Sequence, residues 1–181
     1  MLQEISLNIL DIAENGVKAG ASVVEITVDE QPEKDLLTVT IRDNGCGMDA
    51  AKLRQVTDPF FTSRTTRKVG LGIPFIKMAA EMTGGRFSIE SEVGVGTTVT
   101  AQFGYHHIDR MPLGNLADTV AALVQCNPHM DFLYTHIRGD QVFTMDTKEF
   151  RAVLGEEISL AEPEVVQYIR AFLAEREQSV I

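Results

Sequence analysis

The sequence predicts an α+β fold, and two patterns along the chain support this prediction. Apolar residues recur at helical spacing in residues 2–18, so the chain opens with an amphipathic helix. Residues 36–42 alternate apolar and polar side chains, as a strand with one buried face does. Glycine-rich turns then separate further short strands and helices up to residue 104. We therefore expect a sheet with helices packed on it.

Composition and charge limit what the chain can bind. Its 181 residues can bury one core and a small appended unit. With a net charge of -10 it would repel phosphate backbones, so we expect no nucleic-acid surface. The two cysteines lack the spacing of a zinc site or a disulfide framework. No run of residues is apolar enough to cross a membrane, and the acidic residue Glu4 lies where a signal peptide would carry basic residues. We expect a cytoplasmic protein that does not bind membranes.

A polar stripe runs along the first helix beside its apolar face. Asn8, Asp11, Asn15 and Lys18 are three, four and three residues apart, so they lie on one side of the helix. A carboxylate, a carboxamide and an ammonium group placed together can hold a hydrated magnesium ion and the phosphates that it carries. A solvated helix face would show the same spacing, so the stripe alone leaves both interpretations open.

The strand of residues 36–42 ends in the turn Asp43-Asn44-Gly45-Cys46-Gly47. The strand directs Asp43 beyond its end, and Gly45 and Gly47 have no side chain to keep a flat ligand away from the backbone. A carboxylate at the mouth of such a slot can accept a hydrogen bond from an exocyclic amino group. An ordinary tight turn has the same Asp-Asn-Gly sequence, so the nucleotide interpretation depends on the neighbouring motifs.

Residues 58–74 combine two phenylalanines with hydroxyl and basic side chains that are too polar for a core. This composition predicts a mobile lid, and Gly70 and Gly72 lead into a predicted helix at residues 73–82. A helix that begins at glycines presents free N–H groups to an anion, and Lys68 can add positive charge there. Thr97 begins a later strand, residues 97–103, next to a glycine turn.

From residue 105 onward the pattern is a helix, a hairpin and two more helices, without a catalytic constellation. We expect this part to bind a partner or to dimerise, and we divide the chain into residues 1–104 and 105–181. The predicted elements are a helix at 113–124, strands at 132–137 and 141–145, a short helix capped by Asp146, and an amphipathic helix at 164–175.

Residues 1–104 resemble the ATP-binding domain of the GHKL superfamily, which includes histidine kinases, mismatch-repair ATPases, type II topoisomerases and large heat-shock chaperones. Four motifs in the expected order carry the resemblance: the helix with Asp11, Asn15 and Lys18, then Asp43-x-Gly45-x-Gly47, Gly70-x-Gly72, and Gly94-x-Gly96-Thr97. The resemblance implies a Bergerat-type fold, a two-layer α/β sandwich whose mixed, mostly antiparallel sheet is covered on one face by helices. It also implies ATP and Mg²⁺ as ligands.

By this resemblance, Asp43 binds the adenine amino group, Asn15 binds the magnesium ion, and Lys18 binds the phosphates together with the backbone of Gly70-Leu71-Gly72. Asp11 is the predicted catalytic residue, because ATP-hydrolysing members carry at this position a glutamate that orients the attacking nucleophile. Aspartate is one methylene shorter, so Asp11 orients water, orients a protein hydroxyl, or helps to hold magnesium. The other residues assigned to the nucleotide are Gly45, Gly47, Met48, Phe60, Thr62, Lys68 and Thr97.

Two functions remain open. In the first, the protein is an enzyme that transfers the γ-phosphoryl group of ATP to water or to a protein acceptor, as histidine kinases and stand-alone anti-sigma kinases do. In the second, it is a nucleotide-driven switch with negligible turnover. The acidic composition disfavours a DNA-repair ATPase. Only a few residues precede the first helix, so we expect no complete sensor kinase. We expect the four histidines, His106, His107, His129 and His136, to be surface or structural residues.

Overall fold

The computed structural model describes residues 4–57, 71–155 and 157–180. The helices in these ranges are α1 (Ile5–Lys18), α2 (Ala50–Thr57), α3 (Gly72–Met82), α4 (Leu116–Cys126), α5 (Thr147–Leu154) and α6 (Pro163–Val180). The strands are β1 (Val23–Gln31), β2 (Leu36–Asp43), β3 (Arg86–Glu92), β4 (Gly96–Gly104), β5 (Asp131–Arg138) and β6 (Gln141–Asp146). A short 3₁₀ helix, Pro32–Lys34, connects β1 to β2.

All six strands form one sheet in the order β3-β4-β2-β1-β5-β6. Every neighbouring pair is antiparallel except β1 and β5, which run parallel. A parallel pair needs a long crossover connection. Here the chain leaves β1, forms β2, β3, β4 and α4, and returns as β5. The strands that the sequence predicts for residues 105–181 therefore extend the sheet of the preceding residues, while the division of the chain at residue 104 stays a prediction.

One face of the sheet forms the core. Alternate residues of β1 (Val24, Ile26 and Val28) are buried, and the same alternation continues through β2, β4 and β5. Ile5, Ile9 and Ile12 make the buried stripe of α1, as the helical spacing predicts. Helices α1, α3, α4 and α6 contribute to the same apolar cluster. The α+β class and the mostly antiparallel sheet with helices on it are thus confirmed.

The opposite face of the sheet carries a row of hydroxyl groups. The strand register aligns one hydroxyl residue from each strand in the order β3 to β6, namely Ser88, Thr100, Thr40, Thr27, Thr135 and Thr144. None of them is buried, and the Thr135 and Thr144 hydroxyl oxygens lie 3.5 Å apart. Threonine has a β-branched side chain that favours strands and a hydroxyl group that water can solvate. This explains how the face can keep strand geometry without being covered by apolar groups.

A buried polar network lies at the end of the sheet away from the Asp43 turn. Glu30 of β1 is 2.8 Å from His136 Nε2 of β5 and accepts a hydrogen bond of 3.0 Å from the Tyr105 hydroxyl. Next to it, the Tyr134 hydroxyl donates to Glu177 of α6 at 2.8 Å. Burial raises the pKa of the Glu177 carboxyl, and the hydrogen bond from Tyr134 only partly opposes this shift. These hydrogen bonds join β1 to β5, and β5 to α6.

Element ends differ from the predictions where side-chain caps decide them. Asn115 accepts a hydrogen bond of 2.9 Å from the Asp118 N–H and so begins α4 at Leu116, later than the predicted residue 113. The predicted cap of α5 is confirmed, since Asp146 accepts from the Lys148 N–H at 2.9 Å. Within the described ranges, no helix has the length and apolar character that a membrane span requires.

Candidate functional site

A cavity of ≈ 250 Å³ lies between α1, α2 and the ends of β2 and β4. Its apolar wall is made by Ile12, Ile41, Ile73 and Val99. Typical ligand pockets measure ~300–1,000 Å³, so a nucleotide bound here would extend out of the cavity. Six residues that the sequence assigns to the nucleotide line this one cavity: Asn15, Lys18, Asp43, Gly47, Met48 and Thr97.

The close packing of α1 on the end of β2 brings Asn15 and Asp43 together. Gly16, the residue after Asn15, faces Asp43 so closely that an added Cβ would lie 2.8 Å from the Asp43 Cβ. Any larger residue at position 16 would push the helix away from the strand. The carboxamide of the first helix and the carboxylate of the glycine turn therefore share one cavity.

The glycine turn holds the Asp43 carboxylate in place. Its Oδ1 accepts a hydrogen bond of 2.8 Å from the Gly45 N–H. Asn44 fixes the turn to the start of β1, because its Oδ1 accepts from the Ser22 and Val23 N–H groups at 2.9 and 3.0 Å. Gly47 has a φ of 67°, and a Cβ there would lie 1.9 Å from the Glu92 carbonyl oxygen. Only glycine fits this position. The Asp-Asn-Gly sequence is thus a turn, as the simpler interpretation has it, and this turn positions a carboxylate at the cavity.

Hydrogen bonds between hydroxyl groups of β3 and β4 stabilise the other side of the cavity. Thr97 is the register partner of Asp43, and its hydroxyl lies 2.8 Å from the Ser91 hydroxyl. Ser91 in turn accepts a hydrogen bond of 2.8 Å from the Met48 N–H. Thr97 and the residues after the glycine turn are thereby held against one another.

Two lysines supply positive charge at the cavity. Lys18 is exposed and forms a weak ion pair of 3.7 Å with Glu14, so its ammonium group is free to move to an anion. Lys52 of α2 also lines the cavity, together with Val56 one turn later. Lys52 is not among the residues that the sequence motifs assign to the nucleotide. The available signal was its spacing from Val56 on a helix directly after the glycine turn, where Asp49 caps α2 through the Lys52 N–H at 2.8 Å.

Asp11 belongs to the same polar stripe of α1 as Asn15 but lines a different hollow. It lines a second hollow of ≈ 360 Å³ together with Leu71 and Gly72 at the start of α3. A Cβ at Gly72 would lie 2.0 Å from the Asp11 Oδ2, so the carboxylate is packed directly against the first residue of that helix. Asp11, Leu71 and Gly72 are therefore neighbours of one another and not part of the lining of the 250 Å³ cavity.

The remaining predicted residues fall into two groups. Gly45 does not line the cavity but sits behind Asp43, where a Cβ would meet the Ala19 Cβ at 2.7 Å. Phe60, Thr62, Lys68 and Gly70, and with them the predicted lid, lie outside the described residues.

The donor set suits a magnesium ion only in the company of a nucleotide. Within the described parts of the chain, no group of three or more His, Cys, Asp or Glu side chains could hold a metal on its own. Asn15 offers one carboxamide oxygen at the cavity. Magnesium commonly takes one or two protein ligands and completes its shell with phosphate oxygens and water. Asn15 therefore fits the ion as a single ligand.

Comparison with known proteins identifies the family and the fold. The sensor protein SrrB of Staphylococcus aureus is 36% identical over 102 residues, which cover 54% of this chain and 17% of that protein. The crystal structure of the N-terminal domain of a DNA repair protein has a TM-score of 0.54 at 14% identity, covering 86% of this chain and 58% of the other. The Aquifex aeolicus MutL ATPase domain complexed with ADP has a TM-score of 0.49 at 14% identity, over 79% of this chain and 64% of that one.

These coverages mean that the chain spans only a small part of the sensor protein that it matches. At 14% identity, the structural likeness concerns the fold alone. The profile of the family described as "Histidine kinase-, DNA gyrase B-, and HSP90-like ATPase" matches residues 1–106, more than half of the chain. The chain therefore belongs to the histidine kinase-, DNA gyrase B- and HSP90-like ATPase family.

Proposed function

We propose that this protein binds Mg-ATP in the 250 Å³ cavity, with the adenine amino group donating to the Asp43 carboxylate. The observation that carries the proposal is the convergence of Asn15, Lys18, Asp43 and Thr97 on one cavity in a chain of this ATPase family. The apolar wall provides a surface for a flat base, and the carboxylate gives that base a defined orientation.

Asp43 also favours adenine over guanine. Guanine would present a carbonyl oxygen in place of the amino group, and an oxygen cannot donate to a carboxylate. Loss of a hydrogen bond to a charged acceptor costs ~1.5–3 kcal/mol, and the facing oxygen and carboxylate repel each other as well. We expect ATP to bind at least about tenfold more tightly than GTP.

The phosphates leave the cavity towards Lys18 and Lys52, with Asn15 as the protein ligand of the magnesium ion. Phosphoryl transfer depends mainly on positioning and on neutralising the charge of the phosphates, which lysines and a bound magnesium ion supply. Both lysines are exposed side chains at the same cavity, so a triphosphate can draw them in without breaking a buried contact.

The reaction that we propose is transfer of the γ-phosphoryl group to water or to a protein acceptor, with Asp11 orienting the nucleophile. Asp11 is an acid one helical turn before Asn15. It also lies against the first residue of α3, a helix N-terminus at which N–H groups can bind a phosphate. This arrangement supports a γ-phosphate placed between Asn15 and α3.

One observation favours the alternative, a switch with negligible turnover. Asp11 and Gly72 line a hollow that is separate from the one lined by Asn15 and Asp43. If a nucleotide that contacts both hollows moves Asp11 and Gly72 relative to Asn15, this movement can signal to a partner without hydrolysis. For either activity we propose a cytoplasmic location, where reducing conditions keep thiols such as Cys46 and Cys126 free.

Isothermal titration with Mg-ATP and Mg-GTP tests the binding site. In Asp43→Asn, the Gly45 N–H continues to use the side-chain oxygen, so the new NH₂ group faces the adenine amino group and ATP affinity should fall at least about tenfold. Asp140→Asn is the matched control, because Asp140 is an exposed aspartate in the hairpin turn far from the cavity. Unchanged ATP affinity in Asp43→Asn would show that adenine binds elsewhere.

Phosphate release from γ-labelled ATP separates the enzyme from the switch. For an enzyme, Asp11→Asn should lose release while it still binds ATP, and Asp140→Asn should retain both properties. Measurable ATP binding with no release or transfer by the wild-type protein, alone or with candidate partner proteins, would identify the switch instead.

A further inference from the structure

An apolar hollow of ≈ 490 Å³ lies between α5, α6 and the edge strand β6. We call it the α5–α6 groove and define it by Phe150 and Val153 of α5, Tyr168 and Phe172 of α6, and the two acids Glu149 and Glu164. The groove shares no lining residue with the nucleotide cavity. An inference about the groove therefore does not rest on the function proposed for that cavity.

Three aromatic rings make the wall of the α5–α6 groove. The Phe150 ring meets the Phe172 ring edge to face at 5.6 Å, and Tyr168 stacks on Phe172 at 6.3 Å. Tyr168 and Val153 are nevertheless 61% and 85% exposed. Rings that are already fixed by one another lose little conformational freedom when a ligand covers them, which is a property of binding hot spots.

The charge around the α5–α6 groove is acidic. Glu149 and Glu164 are in the first turns of α5 and α6, and neither forms an ion pair within the described residues. Two arginines nearby are engaged elsewhere, since Arg151 pairs with Asp131 at 3.2 Å and Arg170 pairs with Asp118 at 3.0 Å. Lys148, the neighbour of Glu149 on α5, does not line the groove and lines a different hollow. Arg176 lies over the Phe172 ring at 5.6 Å. A ligand that covers the groove thus meets unpaired carboxylates at its edges.

We infer that the α5–α6 groove binds a short amphipathic segment of a partner protein, with two or three large apolar side chains flanked by lysine or arginine. Apolar groups of the segment would cover Val153 and Tyr168, and its basic groups would pair with Glu149 and Glu164. A second copy of this chain fits less well. In a two-fold contact the same surface faces itself, so the acidic edges would meet in a molecule whose net charge is already -10.

Fluorescence anisotropy with a labelled synthetic peptide tests the inference on the full-length protein. The probe is a helical peptide with leucines at i, i+3, i+4 and i+7 and lysines elsewhere, and the matched probe carries glutamates in place of the lysines. We expect the lysine probe to bind at least about tenfold more tightly than the glutamate probe. Val153→Asp should weaken binding about tenfold without affecting the fold, because the side chain is largely exposed.

Paired charge variants distinguish the groove from the general acidity of the protein. Glu149→Gln with Glu164→Gln should weaken binding of the lysine probe about fivefold, which is the effect of two exposed ion pairs. Glu33→Gln with Glu81→Gln removes the same charge from exposed positions outside the groove and should leave binding unchanged. The inference would be overturned if both double variants lost the same affinity for the lysine probe, or if Val153→Asp bound this probe with full affinity. So would a concentration-dependent dimer that Val153→Asp abolishes, because the groove would then bind a second copy.

Discussion

Replacing Glu30 with alanine removes the centre of the buried network that joins β1 to β5 and Tyr105. Its two oxygens engage His136 Nε2 at 2.8 Å and the Tyr105 hydroxyl at 3.0 Å. His136 is 2% exposed, and its Nδ1 already lacks a hydrogen-bond partner in the described structure. Hydrogen bonds to a charged group contribute ~1.5–3 kcal/mol each, and alanine would leave both partners of Glu30 without a hydrogen bond. Glu30→Ala should therefore lower the free energy of unfolding by about 3–5 kcal/mol, and Glu30→Gln by about 1–2 kcal/mol.

The same carboxylate predicts a dependence of stability on pH. Burial alone raises the pKa of Glu30, but the hydrogen bonds from His136 and Tyr105 outweigh burial and hold the pKa below its ordinary value of 4.5. Because the folded-state pKa is the lower one, the stabilisation is fully present above the unfolded-state pKa and is lost as the pH falls through the folded-state value. The difference between wild type and Glu30→Gln should thus be complete at pH 7 and shrink below about pH 4.5.

Urea unfolding at pH 7 and at a series of lower pH values, followed by circular dichroism, measures these differences. Glu33→Gln is the matched control, since Glu33 is an exposed glutamate in the 3₁₀ helix that follows β1, and it should change stability by less than about 0.5 kcal/mol. A loss of less than about 1 kcal/mol in Glu30→Ala would refute the reasoning. It would mean that the network does not hold the two parts of the chain together.

Three further predictions concern single positions. Gly47→Ala should lower the free energy of unfolding by at least about 2 kcal/mol and weaken ATP binding, because its φ is 67° and the new Cβ would meet a backbone oxygen. Gly139 has a φ of 57° but open space around it, so Gly139→Ala should lower the free energy of unfolding by only about 1 kcal/mol. Thermal unfolding measures both variants. Lys52→Ala should weaken ATP binding severalfold in isothermal titration, and Lys34→Ala, an exposed lysine outside the cavity, should not. Asn115→Ala removes the cap of α4 and should lower the thermal stability by about 1 kcal/mol.

Features that depend on neighbours in the chain could be predicted from the sequence. The spacing of Ile5, Ile9 and Ile12 identifies the buried face of α1, because a helix repeats every 3.6 residues whatever it packs against. Alternation in β2 identifies its buried side chains for the same reason. Asp49 and Asp146 could be recognised as caps because each side chain bonds to an N–H group two or three residues later.

Features that depend on distant contacts could not be predicted. Nothing in residues 131–138 indicates that β5 pairs parallel with β1, since the pairing partner lies more than a hundred residues earlier. Asp11 and Asn15 belong to one polar stripe, yet α3 packs beside α1 so that Asp11 faces Gly72 while Asn15 faces the Asp43 cavity. The spacing of Lys52 and Val56 places both on one face of α2, but only the folded glycine turn directs that face towards the cavity.

A series of hydrogen bonds connects the Asp43 turn to α5, the helix that forms one wall of the α5–α6 groove. Asn44 holds the Ser22 N–H, the Ser22 carbonyl accepts from the Asp131 N–H at 2.9 Å, and the Asp131 carboxylate accepts from Arg151 of α5 at 3.2 Å. Spatial continuity alone does not establish coupling, because both sites must bias one shared equilibrium.

Linkage supplies the decisive measurement for such coupling. If ATP changes the affinity of the lysine probe by some factor, the probe must change the affinity of ATP by the same factor. Arg151→Ala should then reduce both factors together, since it removes the ion pair between α5 and the start of β5. If the two sites bind independently, neither ligand would change the affinity of the other, in the wild type or in Arg151→Ala. The nucleotide would then not affect the binding of the partner through α5.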